Sequence, residues 1–189
     1  TWSQTLIRLL GGTDVSRMIH RTCAVGLTAA FVAVTGMCFH FLFLRKDIPG
    51  NWRARLTGPD SLVATRRDFR DLIAMFRWFF FRGPKPVFDR WTYWEKFDFF
   101  AVNWGMIVIG TTGLLLWFPE IFGRIFPGWI FNLATLIHSV EALLATGLIF
   151  SVHFFYTHFR PEKFPMDFVI FNGQISKYEM MEERTDQWK

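Results

Sequence analysis

Residues 129–167 read WIFNLATLIHSVEALLATGLIFSVHFFYTHFRPEKFPMD, and the first part of this stretch decides the fold of the chain. Residues 129–157 are apolar over more than the roughly 20 residues that cross a bilayer, yet they include His138, Glu141 and His153. At about 1.5 Å and 100° per residue, an α-helix separates the two histidines by about 22 Å along its axis and about 60° around it. This spacing predicts two imidazoles on one helix face at opposite membrane depths, each able to give an axial nitrogen to a haem iron.

Two other hypotheses use the same residues differently. Histidines in membrane helices also satisfy interhelical hydrogen bonds, and the alternative function is then a non-redox membrane anchor subunit of a larger complex. A thiol–disulfide enzyme would use Cys23 and Cys38. A straight helix holds these cysteines about 22 Å apart, too far for a disulfide. The sequence has no C-x-x-C-H motif, which excludes covalent haem attachment in this chain.

The composition is that of a membrane protein. The chain has 189 residues, the length of one domain, and 51% of them are hydrophobic. Its 24 Phe and 9 Trp far exceed what a soluble domain of this length usually carries. The net charge of +5 does not indicate a nucleic-acid partner, because the basic residues crowd one loop at 45–94. By the cytoplasmic bias of Lys and Arg, that loop is predicted to lie inside.

The predicted fold is all-α, an integral membrane helical bundle forming a single domain over residues 1–189. Apolar runs predict three transmembrane helices at about 18–44, 95–118 and 129–157, followed by a cytoplasmic tail at 159–189. Within the cytoplasmic loop, a stripe of Phe69, Ile73, Phe76 and Phe80 predicts an amphipathic helix at about 66–82 that lies in the membrane interface.

Membrane depth pairs the histidines across these spans. His20 begins the first span on the outer side, and His138 lies about two turns into the last span from that same side, so the two could clamp one outer haem. His153 lies toward the cytoplasm and has two candidate partners. One is His40, which has the correct depth but is turned about 200° from His20. The other is a histidine on a helix that this sequence does not contain.

Three motifs resemble a known family. LIRLLGGTDVSRMIHR at 6–21, YWEKFDFF at 93–100 with TTGLLLWFPE at 111–120, and the run from 137 to 176 are similar to the di-haem cytochrome b membrane subunits of the formate dehydrogenase gamma/NiFe-hydrogenase cytochrome b superfamily. The resemblance is closest to the branch associated with multihaem c-type cytochromes. It implies that the three spans correspond to helices 2–4 of a four-helix di-haem cytochrome b.

The resemblance also implies a set of ligands. His20 and His138 would ligate the outer haem b, and His153 would ligate the inner haem b with a histidine from the first helix, which another chain or segment would supply. One or two haems b are expected. A quinone, of the menaquinone type, would bind near the start of the second span at Thr92, Tyr93, Glu95 and Lys96, with Glu95 as a candidate proton acceptor.

The function implied is transmembrane electron transfer between the membrane quinone pool and a redox partner on the outer face of a bacterial cytoplasmic (inner) membrane. That partner would be a multihaem c-type cytochrome or the iron–sulfur or molybdenum subunits of an oxidoreductase complex. Asp98 and His158 are further candidates for moving protons on the inner side. Glu141 is open between a proton carrier and a structural group. The sequence leaves the direction of electron flow open.

Overall fold

The computed structural model describes residues 2–45, 50–161 and 163–188, and the regular structure in these ranges is helical, without a strand. Three helices, Thr13–Leu44, Tyr93–Trp117 and Trp129–Phe159, are long and apolar enough to cross a membrane. The expected all-α class with three such helices is therefore confirmed. Length and composition together are those of a multi-pass membrane protein.

The chain divides into two compact units, the first of which is Thr1–Asp47. It contains α1 (Trp2–Leu9) and α2 (Thr13–Phe39), and α2 continues through a π-helical turn, His40–Leu44. Gly11 and Gly12 join the two helices with φ angles of +93° and +95°, a backbone conformation that side chains with a Cβ rarely adopt. The two cysteines are both free thiols, as their separation along α2 requires.

The second unit is Ile48–Lys189, and two long helices dominate it. Its helices are α3 (Trp52–Thr57), α4 (Arg66–Phe79), α5 (Tyr93–Trp117), α6 (Pro119–Phe122), α7 (Trp129–Leu148), α8 (Val169–Asn172), α9 (Lys177–Glu183) and α10 (Thr185–Trp188). After Leu148 the α7 rod continues through two π-helical segments, Ile149–His153 and Phe155–Phe159.

Helices α5 and α7 form an antiparallel pair with a close approach. The buried positions facing the partner helix are small, namely Gly105 and Thr112 on α5 and Ala134 on α7. Small residues let membrane helices pack backbone to backbone. At the end of the pair where α5 begins, the rings of Trp94 and Tyr156 stack with centroids 5.5 Å apart. Large apolar side chains on the outer faces are exposed, as they would be toward lipid, including Phe97, Trp104, Leu143 and Leu144.

Helix α4 is fastened to the start of α5. Thr65 and Asp68 form a capping box at its first turn, and the buried Asp68 carboxylate also pairs with Lys96 Nζ at 2.9 Å. The apolar side chains Phe69 and Phe76 are exposed. The helix ends at Phe79 rather than near residue 82.

The π-helical segment changes the geometry expected for His153. The angle of about 60° from His138 assumed an unbroken α-helix, but Ile149–His153 is wound with i→i+5 hydrogen bonds. Each residue of such a segment advances the helix by less than an α-helical step. The angular relation between the two histidines must therefore be taken from their contacts.

Candidate functional site

The first candidate site is His138, which lies against the middle of α5. Its Nδ1 is 3.1 Å from the carbonyl oxygen of Ile109 and 3.0 Å from Thr112 Oγ1. A carbonyl oxygen only accepts, so the Ile109 contact requires a hydrogen on Nδ1. The Thr112 hydroxyl donates its own hydrogen to Val108 O at 2.7 Å, which leaves its oxygen to accept from the same Nδ1–H. In the neutral ring, Nε2 then carries the lone pair.

The His138 ring is also held by packing. Thr112 is buried, and Ala134, one turn before the histidine, is 3% exposed. Gly113 lies directly against the ring, because a Cβ at that position would be 3.2 Å from His138 Cε1. Helix α5 therefore sets the orientation of the imidazole in two ways, by hydrogen bonds to Nδ1 and by packing against the ring.

The second candidate site is His153 with Asp98, near the end of the same helix pair where α5 begins. Nδ1 of His153 lies 2.6 Å from Asp98 Oδ2, across 55 residues of sequence. The other carboxylate oxygen, Oδ1, is buried and accepts no hydrogen bond within the described part of the chain. In many metal sites a carboxylate accepts a hydrogen bond from Nδ1–H of a histidine in this way, and Nε2 of that histidine is the metal ligand.

The two sites have the same kind of contact, between a histidine Nδ1 and α5, at two depths. Both imidazoles contact α5 and both do so through Nδ1, so the prediction that they share a side of their helix agrees with these contacts. Their contacts lie 11 to 14 residues apart along α5, about 16–21 Å. The donor chemistry fits axial ligation of haem iron, which takes a neutral imidazole through the nitrogen opposite its hydrogen-bonded one.

His20 and His40 both lie in the first unit and are exposed on it. The structure describes that unit by itself, so the pairing of either residue with an α7 histidine stays a prediction. About 30 Å of helix separates them, so they cannot ligate one iron together. No cluster of three or more His, Cys, Asp or Glu able to hold a metal ion occurs among the described residues. Axial haem ligation needs only two such side chains.

The predicted quinone residues form the start of α5. Thr92 is its N-cap, and its backbone N–H and hydroxyl both donate to Glu95 Oε2 at 2.8 Å. Arg184 of the tail donates to Glu95 Oε1 at 2.8 Å. Lys96 is paired with Asp68, and Tyr93 packs edge-on against Trp94. These side chains thus have structural partners, and quinone contact through them stays a prediction.

Two further ionisable groups lie on α7 and its extension. Glu141 packs against Gly105, whose added Cβ would be 2.9 Å from Oε1, at a depth between the two histidines. His158 has a buried Nδ1 that finds no hydrogen-bond partner in the described ranges, and its ring contacts Phe154.

Two site residues were not predicted as histidine partners. The Thr112–His138 contact is not among the sequence predictions, although Gly105, Ile109, Thr112 and Gly113 follow the i, i+4, i+7, i+8 spacing of one helix face. That pattern of small and polar residues was the available signal. Asp98 was proposed only as a proton carrier. A polar cleft of about 370 Å³ was also not predicted; its charged lining residues are Arg66, Arg67, Asp68, Asp71, Asp89 and Lys96.

The fold and the site together define an all-helical protein with three helices able to cross a membrane and two interhelical histidine sites on one helix pair. No known protein family, curated protein or solved structure matches this chain. The relation to the cytochrome b superfamily therefore stays a resemblance of motifs.

Proposed function

We propose that this chain carries electrons across a bacterial cytoplasmic membrane by b-type haems, between the quinone pool and a redox partner on the outer face. One observation supports this most directly. His138 of α7 and His153 of its π-helical extension both engage α5 through Nδ1, at two depths, so that in the neutral ring Nε2 is the nitrogen with the lone pair in each. Two histidines arranged alike on one helix would be able to hold two haems.

The chain's own residues would hold and orient the cofactors. His138 and His20 would bind the outer haem. His153 would bind the inner haem together with either a histidine from a further helix or His40. When bound, haem b would supply reversible one-electron transfer. Ile109, Thr112 and Asp98 select the ring tautomers that present Nε2, and the missing Cβ of Gly113 leaves room for the His138 ring.

The placement in the membrane follows the charges. The Lys- and Arg-rich loop at 45–94 and the tail would face the cytoplasm, with α4 lying in the interface on its exposed Phe69 and Phe76. The short connection between α5 and α7 would face outward. A multihaem c-type cytochrome, or an iron–sulfur or molybdenum subunit, would dock on that side and would exchange electrons with the outer haem.

The quinone, of the menaquinone type, would bind on the inner side near Thr92, Tyr93, Glu95 and Lys96. Because Glu95 already caps α5 and pairs with Arg184, a role in accepting quinol protons requires that the Arg184 contact open. Trp94 and Tyr156, which stack at the same end of the helix pair, offer an apolar surface there. Apolar and aromatic side chains are the usual lining of small-molecule sites.

The second candidate function is a non-redox membrane anchor. The observation that favours it is that the two histidines already make interhelical hydrogen bonds, to Ile109 and Thr112 and to Asp98. Such bonds contribute about 0.6 kcal/mol each in a membrane protein, enough to justify a histidine without a metal.

A haem count separates the two functions. The protein is purified from the membrane with its natural partners, and haem b per chain is measured by the pyridine haemochrome method. Two haems, with one lost in His138→Ala and one in His153→Ala, support the electron-transfer function. His158→Ala is the matched control and should retain both. A complex without haem b would leave the anchor function and overturn the proposal.

A further inference from the structure

The two histidine sites differ in the charge of the group that accepts the Nδ1 hydrogen. At His138 the acceptors are a backbone carbonyl and a hydroxyl, both neutral. At His153 the acceptor is the carboxylate of Asp98, at the shorter distance of 2.6 Å. The short distance is typical of a charge-assisted hydrogen bond.

The charge on Asp98 is only partly shared with other groups. Oδ1 has no hydrogen-bond partner within the described ranges and is buried, while the Asp98 side chain as a whole is 23% exposed. Nδ1–H of His153 is therefore the main donor that the carboxylate meets in this part of the chain. In a membrane interior of low dielectric, such a bond is stronger than in water.

A carboxylate on Nδ1 makes the opposite nitrogen a stronger electron donor. Hydrogen-bonded outer partners raise the basicity of a ligating imidazole, and a more basic ligand favours the oxidised, more positive iron. A neutral acceptor has the same effect to a lesser degree. The same ligand type on the same helix would thus produce two unequal sites.

We propose that Asp98 is a positioning residue that fixes the His153 tautomer and makes the inner site the one of lower reduction potential. This inference rests on the proposed function, since it requires haem at both histidines. With this ordering, an electron shared between the sites resides mainly at the outer one. Asp98 acts through His153 and need not touch the cofactor.

The test is a redox titration of the purified complex, followed by the haem absorption bands. The haem that disappears in His153→Ala identifies the inner one. Asp98→Asn keeps an oxygen acceptor of the same size and removes the charge. We expect it to shift the reduced-to-oxidised ratio of the inner haem toward reduction, and a shift of about tenfold would correspond to about 59 mV upward for one electron. The outer haem in the same molecule is the internal control and should not move.

Asp98→Glu restores the charge and should return the inner potential toward the wild-type value. If Asp98→Asn loses the inner haem, Asp98→Glu should recover it at low potential. An inner haem that is bound but unchanged in Asp98→Asn would overturn this inference and leave the proposed function standing. A preparation without haem b would instead overturn the proposed function itself.

Discussion

The backbone of Gly113 lies against the imidazole of His138, so that a Cβ at position 113 would come within 3.2 Å of Cε1 and 3.7 Å of Nδ1. Three residues earlier on α5, Gly110 has no neighbour within 4 Å of the same added atom. Two glycines on one helix therefore meet different requirements. Only at position 113 does the approach of α5 to His138, a candidate haem ligand, require a glycine.

We expect Gly113→Val to destabilise the α5–α7 pair by about 1–3 kcal/mol, because the new methyl groups would displace the His138 ring. If haem is bound there, its content should fall as well. Gly110→Val is the matched control and should retain stability and haem. Unfolding in mixed detergent micelles measures the first effect, and equal behaviour of the two variants would contradict the packing described.

Thr112 and Thr111 form a second matched pair. Both hydroxyls donate to α5's own carbonyl oxygens, but only Thr112 also lies within hydrogen-bonding distance of His138. Thr112→Val should therefore cost about 0.6 kcal/mol of helix-pair stability. It should also weaken haem retention about tenfold, as loss of an outer partner does. Thr111→Val should change neither quantity, and a larger loss in Thr111→Val would exclude the assigned contact.

Asp68 is expected to be the residue on which docking of α4 depends. Its carboxylate caps the helix through Thr65 and pairs with Lys96, and both ionic side chains are about one-tenth exposed. Asp68→Ala should destabilise this contact by about 3 kcal/mol, because Lys96 would lose its carboxylate. Asp60→Ala removes an exposed pair with Arg90 and should cost at most about 1 kcal/mol. Hydrogen exchange of the α4 amides reports the difference.

The same carboxyl predicts a pH dependence. Burial raises the pKa of Asp68, but the hydrogen bonds from Lys96 and Thr65 outweigh burial and hold this pKa below its usual value. A lowered pKa means that the stabilisation is complete above about pH 4, the range of an unfolded Asp, and is lost as the pH falls through the folded value. The protection factors of the α4 amides, taken relative to the intrinsic exchange rate at each pH, should fall below about pH 4. Asp68→Asn should abolish that acid-dependent change.

Glu95 allows the structural role to be separated from a proton role. Glutamine at the third helical position also completes a capping box, so Glu95→Gln should preserve the start of α5 and lose only the partly exposed contact with Arg184, about 1 kcal/mol or less. Glu95→Ala should cost about 1 kcal/mol more. Thermal unfolding compares the two variants. If quinone-linked electron transfer falls in Glu95→Gln while stability is retained, the predicted proton acceptor is supported.

The residues that sequence patterns located well are those whose role depends on neighbours in the chain. The apolar runs identified all three long helices, and the arginine-rich stretch contained the amphipathic α4. The positions of His138 and His153 on one helix were also available from the sequence. The pairing of Glu95 with Arg184, 89 residues away, had no local signal in the sequence, and its role as a proton acceptor stays a prediction.

The amino-acid sequence by itself determined that this chain forms long helices suited to a membrane, because apolar segments in lipid must satisfy every backbone hydrogen bond internally. Only the tertiary structure decided which nitrogen of each histidine engages α5 and with what acceptor. Those contacts join Asp98 to His153 and Thr112 to His138 across 55 and 26 residues. They depend on the register of two antiparallel helices, which interhelical packing sets, and His153 lies at the end of a π-helical segment.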